Sequence, residues 1–364
     1  MTQNKLHTIA SHFTLPEGET TITPYGNGHI NDTFCVSVET GEARPQRFIL
    51  QRVNRYVFPY PEHVIKNIAL VTDYLRGVIT QAGGDPNRET LTLVKSRDGK
   101  NHYADEDGDL WRVYLFIEDT ISCDLPDTPE LFALSGAAFG RFQQQLEGFD
   151  ASALFESIRD FHNTPARYKQ LMDAVKNNAA GRLGEVGPEL AFCMGYGEEV
   201  HTLLRALAAG EIPLRVTHND TKLNNVLLDA KTGAGVCVID LDTVMPGLAA
   251  YDFGDSIRSG ASTAAEDEKD LTKVSLSLTM FEAFVKGFLS EVKLNARERE
   301  LLPMGAKLMT LECGMRFLAD HLNGDKYFKV HREGHNLDRA RTQFKLVRSM
   351  EENWDTMMEI VKRA

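Results

Sequence analysis

Between residues 216 and 229 the chain reads VTHNDTKLNNVLLD, which spaces Asp220, Lys222 and Asn225 in the order H-x-D-x-K-x-x-N. Beyond the turn at 232–235, a second acidic cluster, VIDLD, occupies 238–242. Phosphoryl transfer asks for such a set. It needs a carboxylate to orient and deprotonate the attacking hydroxyl, cations to spread the phosphate charge, and oxygen ligands to hold those cations. Asp220 is the candidate base and Lys222 the cation near the transferred group. Asn225 and Asp240 are the candidate Mg2+ ligands, because that ion takes hard oxygens and keeps several of its waters. The apolar Val226, Leu227 and Leu228 would pin the loop to the core.

Asp and Asn beside a turn also serve ordinary loops and helix caps, so H-x-D-x-x-x-x-N alone decides little. The combination is more specific. A glycine turn, GNGHIN at 26–31, and a long apolar strand, LWRVYLFIE at 110–118, precede the loop, and VIDLD follows it at a short distance.

The elements that must position these residues fall into two kinds. Residues 21–25, 33–38 and 47–53 read as strands, followed by a helix that opens at Pro61-Glu62, carries Val64, Ile68, Val71 and Leu75 at helical spacing, and ends at Gly83-Gly84. Strands at 91–95, 102–104 and 110–118 complete a small antiparallel sheet. From about 129 the period becomes helical, with Leu131, Leu134, Ala138, Phe142 and Leu146 on one face. A C-terminal stripe from Leu337 through Phe344, Met350 and Trp354 to Val361 predicts one long helix capped by Asn336. The class is therefore α+β: a β-rich N-terminal lobe, 1–117, with one helix, and a larger, mainly helical lobe, 118–364.

Composition narrows the partners. Of 364 residues, 40 are Lys or Arg and 52 Asp or Glu, a formal net charge of -12, which disfavours nucleic acid and anionic membrane as partners. It leaves room for a phosphorylated ligand met by Mg2+ and backbone amides. The five cysteines (Cys35, Cys123, Cys193, Cys237, Cys313) are dispersed and odd in number, which points away from a disulfide or zinc framework and toward a reducing compartment. With no signal-like start and no apolar run of about 18 residues, a cytoplasmic location is expected. Oligomeric state leaves no trace in the sequence.

These residues resemble the aminoglycoside phosphotransferase and choline kinase superfamily, which has the bilobal protein-kinase-like fold. The stretches YGNGHINDTF, RVTHNDTKLNN, IDLDTVMPG, DFGDSIRSGAST and LECGMRFLADHLNGDKYF carry the likeness across residues 25–328. Within the superfamily they are most similar to kinases that phosphorylate the anomeric hydroxyl of N-acetylglucosamine and N-acetylgalactosamine. The resemblance implies Asp220 as base, Asn225 and Asp240 on Mg2+, and ATP as co-substrate. It sets Gly26, Gly28, His29 and Ile30 over the nucleotide phosphates, and the adenine between the lobes against backbone of Phe116, Ile117 and Glu118. It also points to Arg316 and Tyr327, with Asp220, as sugar contacts. Arg316 is equally open to an ion pair with Glu312 on the same helix, and Tyr327 to ordinary packing. His29 and His162 stay outside the catalytic set. Asp252, in DFGDS, is expected to brace the catalytic loop rather than bind metal.

One departure stands out. Where a protein kinase has the V-A-I-K lysine, this chain has FILQ, with Gln51 followed by Arg52. A carboxamide cannot neutralise phosphate as an ammonium does. Arg52, another cation or Mg2+ must then carry that load. The missing lysine also admits a catalytically inert, ligand-binding relative, against which the intact base and metal ligands argue. Among acceptors, choline, homoserine, an aminoglycoside or another sugar compete with the N-acetylhexosamines. A cationic acceptor asks for a dense acidic lining, which Arg316 opposes.

Overall fold

The computed structural model describes residues 2–26 and 30–364, so Gly28 and His29 of the expected phosphate turn lie outside the described residues. The chain divides into two compact units: Met1–Ile121 with Gly148–Arg159 and Leu227–Met245, and Ser122–Glu147 with Asp160–Val226 and Pro246–Ala364. A single cut after residue 117 does not describe this division, because two later segments return to the first unit. Asp240 thus belongs to the first unit, and Asp220 and Asn225 to the second.

The first unit is built on an antiparallel sheet in the order Glu19–Pro24, Asp32–Glu39, Gln46–Arg52, Leu110–Leu115, Leu93–Val94, with Tyr103–Ala104 also paired to Leu110–Leu115. Its register sets Thr33 opposite Gln51 and Gln51 opposite Arg112. Ile22, Val36, Val38, Phe48, Leu50, Trp111 and Val113 are buried with Leu6, Ile9 and Phe13. The last three belong to, or directly follow, an N-terminal helix, Gln3–Ser11, that was not anticipated, although Leu6, Ile9 and Phe13 already show helical spacing. Helix Pro61–Gln81 begins with proline at its first turn and buries the four apolar positions expected of it. Three expected strands are shorter than predicted, that at 102–104 being reduced to Tyr103–Ala104. Only Leu93–Val94 of 91–95 pairs, and the strand at 110–118 stops at Leu115. Beyond it Phe116 to Glu118 form a connecting segment that turns at Asp119, whose φ is 53°. Gly235–Val238, Val226–Asp229 and Thr120–Ile121 make a second, three-stranded sheet.

The second unit is helical, around a core that includes Leu171, Leu248, Tyr251, Leu308, Leu311, Met315, Leu318, Phe344 and Val347. Helices Ala249–Gly260 and Leu302–Asn323 meet backbone to backbone. A Cβ added at Gly254 would lie 2.4 Å from the Gly305 carbonyl, and one at Gly305 would lie 2.4 Å from the Ala250 carbonyl. The glycine of the DFG letters is therefore a packing requirement. At the C-terminus the predicted single helix is two, His335–Glu352 and Trp354–Arg363, interrupted at Asn353. Asn336 is not the cap. Gly334, at φ 70°, precedes the helix, while Asn336 lies inside it and donates from Nδ2 to Asp320 Oδ2 (2.9 Å) and Asp325 Oδ1 (2.8 Å). An apolar stripe records the buried face but not a break between two helices that share it. All five cysteines are free thiols. Among the described residues no helix is long and apolar enough to cross a membrane.

Candidate active site

The catalytic loop follows the short strand Arg215–Thr217. Asn219 takes a left-handed conformation (φ 66°), which turns the chain sharply before Asp220. Lys222 Nζ lies 2.7 Å from Asp220 Oδ1, and Asn225 Nδ2 donates to the Asp220 carbonyl (2.8 Å) and to Oδ2 (3.2 Å). The three residues singled out by spacing in this loop are thus in contact. Because Asn225 spends its amide on Asp220, its Oδ1 is left as a hard-oxygen donor, the type Mg2+ takes. The charge of Asp220 is the first cause of a raised Lys222 pKa; burial opposes it and Asp255 adds to it, so the ammonium persists through the physiological range.

Two buried aspartates hold this loop. Asp252 is 1 % exposed and accepts the amides of His218 (3.0 Å) and Asn219 (2.8 Å), with Gln143 Nε2 as a third donor (2.8 Å). That is the bracing arrangement expected of it. Asp255, one helical turn on, accepts the Thr221 amide at 2.9 Å and is paired with Arg258 at 2.8 Å. Burial pushes the Asp255 carboxyl up, but the charges of Arg258 and Lys222 outweigh it and hold the pKa below the usual range. Arg258 lies one turn along the same helix, whereas the Thr221 amide is 34 residues away in sequence.

His162 ties the loop to the helical bundle. Its Nδ1 lies 2.9 Å from Glu312 Oε1 and its Nε2 3.2 Å from the Asn219 carbonyl. Glu312 also accepts from Thr164 Oγ1 at 2.9 Å. The expected alternative for Arg316, an ion pair with Glu312, is therefore not formed. Instead its guanidinium stands over the rings of Phe161 (5.2 Å), Phe328 (5.5 Å) and Tyr327 (5.9 Å), with no hydrogen bond to any described residue. A cavity of about 340 Å3 opens beside it, lined by Arg167, Asp173, Arg316, Asp320 and Tyr327 among others. Burial, then the charge of Arg316, lowers the Arg167 pKa. Asp320 is already committed, accepting the amides of Lys326, Tyr327 and Phe328 and the Asn336 side chain. Sequence reasoning missed Arg167, which lies in no motif, and the pairing of His162 with Glu312, 150 residues further along the chain.

In the first unit, Gly26 has φ 74°, a conformation that favours glycine, and Ile30 is exposed. The Phe116 amide donates to the Arg47 carbonyl (3.1 Å), while the carbonyls of Ile117 and Glu118 accept from Thr120 (2.9 Å) and Arg88 (2.6 Å). Asp240 ends the Gly235–Val238 strand region in a left-handed conformation, φ 59°. Arg52, partly exposed, pairs with Asp32 and with Asp109 (2.9 Å).

An antiparallel-sheet unit and a helical unit that presents H-x-D-x-K-x-x-N on buried carboxylates define a protein-kinase-like phosphotransferase. The chain belongs to the phosphotransferase enzyme family, whose model matches residues 21–273. Among solved structures it is similar to a microcompartment-associated aminopropanol kinase, at 16% identity and TM-score 0.55, over 97% of this chain and 98% of that one. An amicoumacin kinase in complex with AMP-PNP and Ca2+ is similar at 14% identity and TM-score 0.57, over 97% and 94%. An ethanolamine kinase of Plasmodium vivax matches at 10% identity and TM-score 0.54, over 89% and 82%. At such identities these likenesses concern the fold. The chain is a small-molecule kinase of this family.

Proposed function

We propose that the chain is an ATP-dependent N-acetylhexosamine 1-kinase, transferring the γ-phosphate to the anomeric hydroxyl of N-acetylglucosamine or N-acetylgalactosamine. Asp220 takes the hydroxyl proton as the oxygen attacks, and Lys222 offsets charge on the transferred group. A hemiacetal hydroxyl is more acidic than an ordinary alcohol, which suits a carboxylate base. Asn225 and Asp240 are the proposed Mg2+ ligands; the ion, when bound, supplies neutralisation of the phosphate charge. The Phe116 carbonyl and the Ile117 and Glu118 amides are the backbone groups proposed for the adenine edge, and Gly26 and Ile30 flank the turn proposed for the phosphates.

The observation that carries the acceptor assignment is the cavity lined by Arg316 and Tyr327. Its two arginines share the lining with two aspartates, Asp320, which accepts the amides of its own loop, and Asp173, which pairs with Lys169 at 2.8 Å. Such a lining lacks the acidic excess that a polycation needs and suits a neutral, hydroxyl-rich ring, with Tyr327 and Phe328 as apolar surface for the sugar face. The test is ATP consumption with Mg2+ against N-acetylglucosamine, N-acetylgalactosamine, glucose, choline, homoserine and kanamycin, with NMR of the product. Anomeric phosphate on the two N-acetylhexosamines is the expected result; turnover of choline or kanamycin in their place would remove the sugar reading. Asp220→Asn is expected to lower turnover by a factor on the order of 100 or more while AMP-PNP still binds.

A further inference from the structure

The phosphate-pairing lysine is absent at Gln51, yet the register places a cation directly opposite it. Arg112 faces Gln51 across the paired strands Gln46–Arg52 and Leu110–Leu115. It is 1 % exposed. Its Nε (3.1 Å) and Nη2 (2.8 Å) donate to Gln51 Oε1, and Gln51 Nε2 donates in turn to Thr33 Oγ1 (3.0 Å). Nη2 also lies 2.6 Å from Asp242 Oδ1, while Nη1 has no hydrogen-bond acceptor among the described residues. Gln51 therefore fills the lysine's place with a group that orients an arginine.

Asp242 is the second carboxylate of IDLD, and its other contacts are structural. Oδ2 accepts from Asn31 Nδ2 at 2.6 Å, and its carbonyl accepts from Ser157 Oγ at 3.2 Å. Asn31 in turn accepts the Asn54 amide at 2.9 Å, and Asn54 donates to the Ile30 carbonyl at 2.9 Å. The arginine is thus wired to the residues that leave the glycine turn and to the turn that carries Asp240.

We propose that Arg112 is the fixed positive charge of the nucleotide site, standing in for the absent strand lysine, with Asp242 as its counter-ion. It acts as a positioning residue through its field, because burial in a low-dielectric sheet lets the charge reach further than it would in water. Within IDLD, Asp242 is held by Arg112, and Asp240 is the proposed metal carboxylate. This rests on the chain's nucleotide-dependent chemistry and concerns only what meets the phosphates.

The test is calorimetric binding of AMP-PNP to the full chain, with Mg2+ and with EDTA, alongside thermal melts. Arg112→Gln is expected to weaken binding tenfold or more in EDTA. Asp242→Asn, which unmasks the arginine, is expected to tighten it threefold or more under the same conditions. Arg112→Lys, which keeps the charge, should stay within threefold of the parent. Opposite signs for the first two variants are the signature, since damage to packing weakens both. Should either single variant fail to fold, since each leaves one buried charge unpaired, the double variant Arg112→Gln/Asp242→Asn decides: unchanged or tighter binding in EDTA overturns the proposal. A parent chain that binds no AMP-PNP in either condition would instead sink the ATP reading itself.

Discussion

Arg316 shows how little of a residue's role is settled by its type. An arginine on a buried helix ordinarily finds a carboxylate, and Glu312 one turn earlier is the obvious candidate. Glu312 is occupied by His162 and Thr164, so Arg316 stacks over three rings and keeps its N–H donors for whatever enters the cavity. Its replacement should therefore be felt in acceptor binding and nowhere else. Arg316→Met is expected to raise KM for the proposed N-acetylhexosamine acceptor about tenfold or more, the effect of losing one or two charge-assisted hydrogen bonds at about 1.5–3 kcal/mol each. AMP-PNP affinity should not move. Equal losses for both ligands would assign Arg316 to folding instead.

At the scale of elements, helix Ala249–Gly260 is the scaffold of the catalytic loop. It lends Asp252 to the His218 and Asn219 amides and Asp255 to the Thr221 amide, and Gly254 lets it lie against Leu302–Asn323, the helix of Glu312 and Arg316. Asp255 makes this scaffold sensitive to pH. Its pKa is lowered in the folded chain, so its contribution to stability is present above the ordinary carboxylate value near 3.8 and is lost as pH falls through the depressed one. Asp255→Asn should be less stable than the parent at neutral pH, with the difference shrinking in denaturant titrations as the pH falls below the ordinary carboxylate value. A difference independent of pH would mean that Asp255 acts only by shape. Part of this was legible: the loop residues from spacing, the strands from alternation. The contacts that turn letters into a site were not. His162, Arg167 and Asn31 are each far in sequence from what they touch, and nothing local marks them. The false single helix at the C-terminus failed for a related reason, since periodicity reads a shared buried face and is blind to a one-residue interruption.

At the scale of the whole molecule, the chain leaves the first unit at Ile121, returns twice, and so makes each unit depend on segments remote in sequence. The N-terminal sheet has its apolar core within residues 1–121: Leu6, Ile9, Phe13, Val36, Leu50, Trp111 and Val113 are all there. What a 1–121 fragment lacks is the counter-ion for Arg112, since Asp242 arrives only with the last returning segment. A buried guanidinium stripped of its partner costs about 3–5 kcal/mol, a large part of the 5–15 kcal/mol that a domain has in total. Fragment 1–121 is therefore expected to show no cooperative melt by circular dichroism. Arg112→Met in that fragment removes the uncompensated charge and should recover one, whereas the same substitution in the full chain strands Asp242 and should lower the melting temperature. A substitution that stabilises the part and destabilises the whole is the mark of a charge whose partner comes from far along the chain. If the unmodified fragment melts cooperatively, Asp242 is dispensable to the folding of the sheet.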